Sequence, residues 1–352
     1  MDRSQLKKLL QELILAPGPS GQEEAVAKVC KKHLKGTADT LFEDDSGNLI
    51  ACIKGKSKDP EKAIHLMTHM DELSLIVKRI NEDGSLRLDP LGGIYPFDLG
   101  QGPVEILGDK KSLPGIVSAP SIHTSEETST RWRSMPRGED KSLRWQDMHV
   151  FTGKSEKELE KAGVHPGTRV VIAPSRRELE EVGACYAGYF MDNRAAIAIG
   201  IATLKGLKKR KPKYDVYLAL TTEEEIGAHG ASFAARTLPG HTSIAIDVGP
   251  VAEEYQTELT GSPIVVYQDT FTVYHKKTAD ALEASGKKLK LKPQRAIWSG
   301  YGSDASLAKR HGQTGKAALL CIPTKNTHGF EIIHRDGMQN CAKMLIDYLG
   351  NA

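Results

Sequence analysis

The spacing of apolar positions changes along this chain and predicts several kinds of element. In residues 3–15 leucine and isoleucine recur at helical spacing, which predicts an amphipathic helix. A second helix is predicted to follow, because Ser20 with Glu23 three residues later has the pattern of a capping box. The apolar runs within 44–55 and 63–71 are short and bounded by turn residues, which is typical of strands.

The pattern from about 73 to 170 consists of short β-like runs separated by glycine and proline, with a polar stretch at 124–142 that is predicted to be an exposed loop. After Tyr189 the alternation of strands and helices predicts a parallel sheet covered by helices on both faces. We therefore expect an α/β fold, with a doubly wound, largely parallel catalytic sheet domain (1–71 and 173–352) interrupted by a small β-rich assembly domain (72–172). In the last part, the predicted helices are 193–207, 230–237, 303–311 and 335–349, and the clearest strands are 243–248 and 317–323.

Composition excludes several classes of protein. The chain has 352 residues, 39% apolar and 26% charged, with a net charge of +3 from 48 basic and 45 acidic residues, so no nucleic-acid or membrane partner is expected. The basic runs 204–213 and 287–292 lack interleaved aromatic residues and are predicted to be solvated loops. The charged start of the chain is typical of a helix rather than a signal peptide. Five scattered cysteines, none in CxxC spacing, indicate a reducing cytoplasm.

The apolar run 63–71 ends in His69 and Asp71, at the carboxyl end of a predicted strand. Ligands of open α/β sheets bind at such ends. Residues two apart on a strand point to the same side, so one nitrogen of His69 could hold a metal ion while Asp71 accepts the other N–H and fixes the tautomer.

Other predicted strand ends and turns also carry potential ligands, namely Asp192, the run Glu223–Glu225, Asp247, Asp304 and His328 with Glu331. Adjacent carboxylates repel one another unless a cation neutralises them. Imidazole and carboxylate ligands without thiolates suit a catalytic zinc, cobalt or manganese site. The candidate ligands outnumber those that one metal ion with an open coordination position can bind. Two ions that share one carboxylate ligand would use the additional side chains.

The stretches THMDE, MDNRAA, EEIGAHGA, AIDVGP, GSDA and THGFE occur in this order. They resemble the signature stretches of the tetrahedral (TET) or glutamyl/deblocking aminopeptidase family of di-metal metallopeptidases. The resemblance extends over almost the whole chain, including PSGQEE and SGNLIA near its start. It implies a catalytic α/β domain, a small β domain used for assembly, two divalent metal ions, and removal of N-terminal residues from peptides.

By this resemblance, His69 and Asp247 hold one ion, Glu225 and His328 hold the other, and Asp192 bridges them. Glu224 is the general base for a bridging water or hydroxide, and Asp71 orients His69. Zinc is the first expectation for the metal, with cobalt and manganese as alternatives.

The substrate pocket departs from the family pattern. Tyr301 stands where glycine is usual and should narrow the pocket. Lys325 replaces a usual arginine and loses its planar fork, so a glutamyl preference is not expected to carry over. His123 matches a histidine of the inserted domain that reaches a neighbouring subunit. The resemblance also implies a homo-oligomer built from dimers, for which an assembly of twelve subunits is one expectation.

Three other functions are compatible with parts of the pattern. A metal-dependent deacylase of N-acyl amino acids or related small amides would use the same ligands. A glycosidase could use Glu223 and Glu224 as its paired carboxylates, but it has no use for His69 and His328, and 6% aromatic residues offer few platforms for sugar stacking. A non-catalytic assembly protein would have little reason to retain buried carboxylates.

Overall fold

The computed structural model describes residues 1–119 and 143–351, so His123 and the polar stretch 124–142 lie outside the described residues. The chain divides into two units. The sheet unit contains Met1–Glu72, Leu179–Thr327 and Glu331–Ala352, and the barrel unit contains Leu73–Glu178 and His328–Phe330. The boundaries predicted from the sequence fell after residues 71 and 172, and the three-residue return at His328–Phe330 was not expected.

The helices, in chain order, are α1 (Arg3–Leu15), α2 (Glu24–Leu34), α3 (Pro96–Leu99), α4 (Glu156–Lys161), α5 (Met191–Lys209), α6 (His229–Thr237), α7 (Lys276–Lys288), α8 (Asp304–Arg310) and α9 (Gly337–Asn351). The strands are β1 (Thr40–Glu43), β2 (Leu49–Ile53), β3 (Ile64–His69), β4 (Ser74–Ile80), β5 (Leu86–Leu91), β6 (Gly102–Leu107), β7 (Ser112–Ser118), β8 (His149–Phe151), β9 (Arg169–Ile172), β10 (Glu180–Val182), β11 (Cys185–Tyr189), β12 (Val216–Thr221), β13 (Thr242–Pro250), β14 (Ile264–Gln268), β15 (Gln294–Ile297), β16 (Lys316–Lys325) and β17 (Phe330–His334).

The large sheet has the strand order β1-β2-β12-β3-β13-β16-β17-β11-β10, with β14 pairing to both β15 and β16. Its centre is parallel, because β12, β3, β13 and β16 run in the same direction. The strands flanking this centre pair antiparallel, as β2 does with β12 and β17 with β16. The α/β fold is confirmed. Parallel pairs join the four central strands and also β14 with β15, while β1 with β2 and β10 with β11 pair antiparallel at the two ends of the strand order.

Side chains alternate between the two faces of this sheet, as a period of two requires. In β12, Val216, Leu218 and Leu220 join one apolar core, which also contains buried residues of α1, α2, α5, α7 and α9. The intervening Tyr217 and Ala219 join a second core, with residues of α6 and α8. Helices therefore cover both faces, which is the meaning of a doubly wound sheet.

In the barrel unit, six strands close in the order β4-β5-β8-β7-β6-β9. The alternation is clear in β7, where Leu113, Gly115 and Val117 are buried and the residues between them are exposed or half-buried. At Gly115 a Cβ atom would lie 2.6 Å from Cγ1 of Val150, so the interior leaves no room for a larger residue. This inward and outward alternation is what a small closed barrel requires.

Two local predictions were wrong. Helix α2 begins at Glu24, and its N-cap residue Glu23 makes no side-chain capping bond. Ser20 instead donates its hydroxyl hydrogen to Oδ2 of Asp71, 2.7 Å away, so the Ser20–Glu23 pattern is not a capping box. Residues 249–302, to which the sequence assigned no element, contain β14, α7 and β15. Among the described residues, no helix is long and apolar enough to cross a membrane.

Candidate metal centre

The candidate site lies at the carboxyl edge of the parallel centre of the sheet. His69 is the last residue of β3 and pairs in register with Thr221, the last residue of β12. On the other side of β3, Ala245 pairs with Met67, which places Asp247 two residues further along β13. Because these strands are parallel, polar side chains at their ends gather at one edge of the sheet.

Three of the predicted ligands are brought together. One ligand atom each of His69, Asp192 and Glu225 lie within 4.8 Å of one another. Nε2 of His69 is 3.0 Å from Oδ1 of Asp192 and 3.9 Å from Oε2 of Glu224. An imidazole nitrogen and carboxylate oxygens at this separation form a donor set typical of a catalytic divalent metal site.

The hydrogen bonding of His69 suits metal binding. Its Nδ1 is 3.1 Å from the main-chain oxygen of Asp71 and 3.4 Å from the carboxylate oxygen Oδ1 of that residue. When Nδ1–H donates to the carbonyl, Nε2 keeps its lone pair and faces Asp192. The sequence analysis assigned this acceptor role to the Asp71 side chain; in the structure the main-chain oxygen is the nearer acceptor, and the carboxylate also faces Nδ1.

The carboxylate of Asp71 accepts several hydrogen bonds. Oδ1 accepts a hydrogen bond from the main-chain N–H of Glu224 at 2.9 Å, and Oδ2 accepts from Glu225 N–H at 3.2 Å and from the Ser20 hydroxyl at 2.7 Å. Burial raises the pKa of Asp71, but the bonds with His69, Ser20 and Glu224 outweigh it and hold the pKa below its ordinary value. Asp71 is therefore a fixed anion that orients the turn carrying Glu224 and Glu225.

The remaining carboxyl groups are crowded, and the charge of His69 offsets their mutual repulsion only in part. Burial, together with the charges of Glu225, Asp304 and Asp247, raises the pKa of Glu224 well above its ordinary value, against the opposing effect of His69. Burial and the charge of Asp192 do the same for the pKa of Asp247. Burial also raises the pKa of Asp304 to about 6. Carboxyl groups held this close require a cation if they are to remain ionised together.

The geometry of Asp304 also indicates a site for a cation. It is the first residue of α8 and is almost fully buried. Oδ2 accepts a hydrogen bond from the Thr221 hydroxyl at 2.7 Å, while Oδ1 is buried with no hydrogen-bond partner among the described residues. A buried acceptor left in this way is uncommon in a protein, and it fits a site that takes a cation.

Asp192 is held at the start of α5 by contacts to two strands. It departs from helical geometry, with φ −76° and ψ 104°, and the peptide bond that follows it is cis. Its N–H donates to Oε2 of Glu331 at 2.9 Å, and the Asn193 side chain donates to the carbonyl oxygen of Ile246 at 3.1 Å. These bonds tie the start of α5 to β17 and to β13, the strand that carries Asp247.

The other predicted residues are placed as follows. His328 belongs to the barrel unit, where its Nδ1 lies 2.9 Å from the carbonyl oxygen of Gly93. Tyr301 donates its hydroxyl hydrogen to the carbonyl oxygen of Val248 at 2.7 Å, directly after Asp247. Burial and the charge of Asp247 raise the pKa of Tyr301 well above its ordinary value, which places its hydroxyl near the carboxyl cluster. Lys325 is the exposed last residue of β16.

The sequence analysis missed the supporting residues. Arg194 and Glu72 form a fully buried ion pair with 2.6 Å between NH2 and Oε2, and Arg194 also donates to the carbonyl oxygen of Met70. This pair joins the segment that follows β3 to the first turn of α5. Both residues stand beside predicted site residues in the sequence, so the acid-base pairing of the two motifs was a signal that could have been used.

Buried carboxylates and an imidazole at the carboxyl edge of a parallel sheet, with one carboxylate free to act as a base, define the class of metal-dependent hydrolases. A family model described as M42 glutamyl aminopeptidase matches residues 47–344, so the chain belongs to that family. The resemblance inferred from the sequence is thereby confirmed, as is the expectation of an aminopeptidase that uses divalent metal.

Individual relatives agree with this assignment. A putative aminopeptidase of Acetivibrio thermocellus is 26% identical across 99% of each chain. The solved structure of aminopeptidase APDkam598 from Desulfurococcus kamchatkensis matches with a TM-score of 0.88 at 25% identity, covering 99% of this chain and 96% of that one. The TET1 peptidase of Pyrococcus horikoshii, described as able to assemble into a tetrahedron or a large octahedral shell, matches with a TM-score of 0.86 at 24% identity, covering 99% of this chain and all of that one.

Proposed function

We propose that this aminopeptidase binds two divalent metal ions per subunit, zinc in the first place, and uses Glu224 as the general base in releasing N-terminal residues from peptides. The observation that carries the proposal is the convergence of His69, Asp192 and Glu225 to within 4.8 Å, with Oε2 of Glu224 3.9 Å from the His69 nitrogen. Metal ligands and a base are thus adjacent within the sheet unit.

The donor set fits the metal. His69 offers its Nε2 nitrogen, and Asp192, Glu225 and Asp247 offer oxygens of one crowded group of carboxyl side chains. Family resemblance adds His328 as a fifth ligand and assigns the bridging position to Asp192. When bound, divalent ions supply Lewis acidity, which lowers the pKa of water and polarises the scissile carbonyl.

The side chains of this chain perform the proton transfers. Glu224 accepts a proton from the attacking water and returns it to the departing amine, which is the task of a general base. Asp71 fixes the backbone of Glu224 through the 2.9 Å hydrogen bond from the Glu224 amide. The free α-amine of the substrate is the positive group that this anionic cluster would attract.

Pocket residues would set the preferred N-terminal residue. Tyr301 lies beside the strand that carries Asp247, with its ring centroid 4.6 Å from that of Trp298, so it offers an aromatic wall. Lys325 offers an exposed positive charge at the end of β16. A deacylase acting on N-acyl amino acids would use the same ligands, and only the choice of substrate separates the two activities.

We further propose a homo-oligomer built from dimers, consistent with the assembly described for the TET1 peptidase. The role of His123 at a neighbouring subunit, the twelve-subunit count and the absence of a nucleic-acid or membrane partner belong to the same proposal. Five free cysteines, four of them buried, are compatible with a reducing cytoplasm.

The test compares two adjacent glutamates. Glu224→Gln should lower kcat on an unblocked peptide library by about 10³-fold, because a general base contributes roughly 10²–10⁴-fold. Glu223→Gln should keep activity within about threefold, because its carboxylate is directed to His229, with 3.2 Å between Oε2 and Nδ1. Activity is measured on chelator-treated protein resupplied with zinc, cobalt or manganese.

Equal loss of activity in both variants, or activity without metal, would contradict the assignment of Glu224. Hydrolysis of N-acyl amino acids with no release from unblocked peptides would instead favour the deacylase. A glycosidase would require both glutamates and would not respond to the chelator.

A further inference from the structure

The segment from residue 17 to residue 23, here called the brace, is attached to the candidate metal centre at three points. The carbonyl oxygen of Gly18 accepts a hydrogen bond from Glu72 N–H at 2.8 Å. The Ser20 hydroxyl donates to Oδ2 of Asp71 at 2.7 Å. Oε1 of Glu23 accepts from the main-chain N–H of Glu223 at 3.2 Å.

The polar side chains of Ser20 and Glu23 have partners beyond the brace itself. Neither Ser20 nor Glu23 caps α2, and both are nearly fully buried, with 1% and 5% of their surface exposed. A buried hydroxyl or carboxyl group must find partners to offset its loss of water. Glu23 accepts locally from Gly21 N–H at 2.8 Å, while the long-range partners of Ser20 and Glu23 are residues 51 and 200 positions away in sequence. The brace therefore directs hydrogen bonds to Asp71 and to the turn that carries Glu224 and Glu225.

The turn that the brace contacts contains a residue with an unusual backbone conformation. Glu223 has a φ of 55°, in the left-handed region that residues other than glycine seldom adopt. Its N–H is held by Glu23, and the next two N–H groups, of Glu224 and Glu225, are held by Asp71. Three successive amides are thus fixed by two carboxyl groups, and Ser20 fixes the second of these carboxyl groups in turn.

Gly18 gives the brace its close approach to β3. A Cβ atom at this position would lie 2.9 Å from NH2 of Arg194 and 3.1 Å from the carbonyl oxygen of Met70. The buried Arg194–Glu72 pair therefore also limits where the brace can sit. The brace consequently contacts both the end of β3 and the turn after β12, the two elements that carry His69 and Glu225.

We propose that Ser20 and Glu23 are positioning residues, which hold the Glu223–Glu225 backbone so that the Glu224 carboxylate and the Glu225 ligand are directed at the metal centre. This inference rests on the proposed function of Glu224 and Glu225. It differs from a general contribution to folding, because it requires an effect on metal affinity and kcat that exceeds any effect on stability.

The first test uses two variants of Glu23 that differ in one property. Glu23→Gln keeps an oxygen that can accept from Glu223 and Gly21, whereas Glu23→Met has similar size and no such acceptor. Glu23→Met should lower kcat about 10–100-fold, with KM changed by less than about threefold, and should weaken zinc binding by a similar factor, as is typical of groups that orient metal ligands. Glu23→Gln should stay within about threefold of wild type in both measurements.

Ser20→Ala provides a second, smaller change in case Glu23→Met does not fold. It should weaken zinc binding about tenfold, because Asp71 loses the donor that fixes Oδ2. Asp2→Ala is the control, since Asp2 caps α1 and accepts from Gln5 N–H at 2.9 Å. Losing that cap should lower Tm by about 2–4 °C without changing zinc affinity.

Zinc affinity is measured by competition with a chromophoric chelator, and Tm by thermal unfolding of the metal-free protein. The proposal is overturned if Ser20→Ala and Glu23→Met lower Tm while zinc affinity and kcat stay within about twofold, or if Glu23→Gln is as impaired as Glu23→Met. A wild-type protein that binds zinc tightly but does not cleave peptides would contradict the proposed function instead, and zinc affinities of the variants would still test the brace.

Discussion

Two histidines on the same face of β3 stand in opposite environments. His65, near the amino end of the strand, is fully buried, with Nε2 2.8 Å from the carbonyl oxygen of Pro239 and Nδ1 3.3 Å from the Ser243 hydroxyl. Burial lowers its pKa, so it is a neutral residue of the core. At the carboxyl end, burial acts on His69 in the same direction, but Asp192, Asp71 and Glu224 outweigh it and raise the pKa well above its ordinary value.

In β3, location in the sheet, rather than residue type or burial, separates a structural histidine from the proposed metal ligand. At the amino end, neutral carbonyl and hydroxyl groups satisfy the ring. At the carboxyl end, loops and helix starts bring several carboxyl groups to one point, because all the parallel strands end there. The same residue type, four positions further along the strand, therefore acquires a different chemistry.

The largest expected effect comes from substituting these two histidines in parallel. His69→Asn should abolish tight zinc binding and lower kcat/KM by about 10³-fold or more, because it removes the nitrogen ligand. His65→Asn should leave kcat/KM within about threefold and lower the free energy of unfolding by roughly 1–3 kcal/mol, the cost of disturbing buried hydrogen bonds. Peptide hydrolysis and urea unfolding of both variants measure the contrast.

If both variants are folded by circular dichroism and lose activity equally, the claim that His65 is structural and His69 is a metal ligand is contradicted. A His69→Asn protein that remained active and bound zinc would contradict the assignment of His69 as a metal ligand.

A smaller effect concerns the pH dependence of stability at the carboxyl end. Burial raises the pKa of Glu23 to about 7, with a further contribution from the charge of Asp71. A carboxyl pKa that is higher in the folded than in the unfolded protein favours folding while the group is protonated. This advantage is complete below the unfolded pKa of about 4.5 and is lost as the pH rises towards 7.

Metal-free wild type should therefore lose stability between pH 5 and 8, by at most about 3 kcal/mol from this group. Glu23→Gln removes the ionisation and should show a flatter profile across that interval. Urea unfolding at several pH values gives the comparison, and parallel profiles for the two proteins would refute the assigned burial effect.

The sequence could predict the ends of the parallel strands because each depends on a local signal. An apolar run followed by a polar residue identifies His69, Asp247 and the turn after β12 without knowledge of the fold. Their joint location then follows from the rule that parallel strands end at one edge. The same local reasoning found α1, α5 and α9 to within about two residues at each end.

Ser20 and Glu23 show why the rest could not be predicted. Their spacing matches a capping box, which is a local motif, but their actual partners lie 51 and 200 residues away. No local pattern distinguishes a serine that caps a helix from one that binds a distant carboxylate. The further contacts of Asp71 could not be predicted for the same reason, because its carboxylate also accepts from main-chain amides of a turn that only the folded sheet brings near.

Zinc titration of the chelator-stripped wild-type protein, followed by competition with a chromophoric chelator, tests the central claim most directly. The account predicts two tightly bound zinc ions per subunit, and fewer and weaker sites in Asp192→Asn, whose carboxylate lies 3.0 Å from the His69 nitrogen. Absence of tight zinc binding in wild type, or binding that Asp192→Asn leaves unchanged, would contradict it.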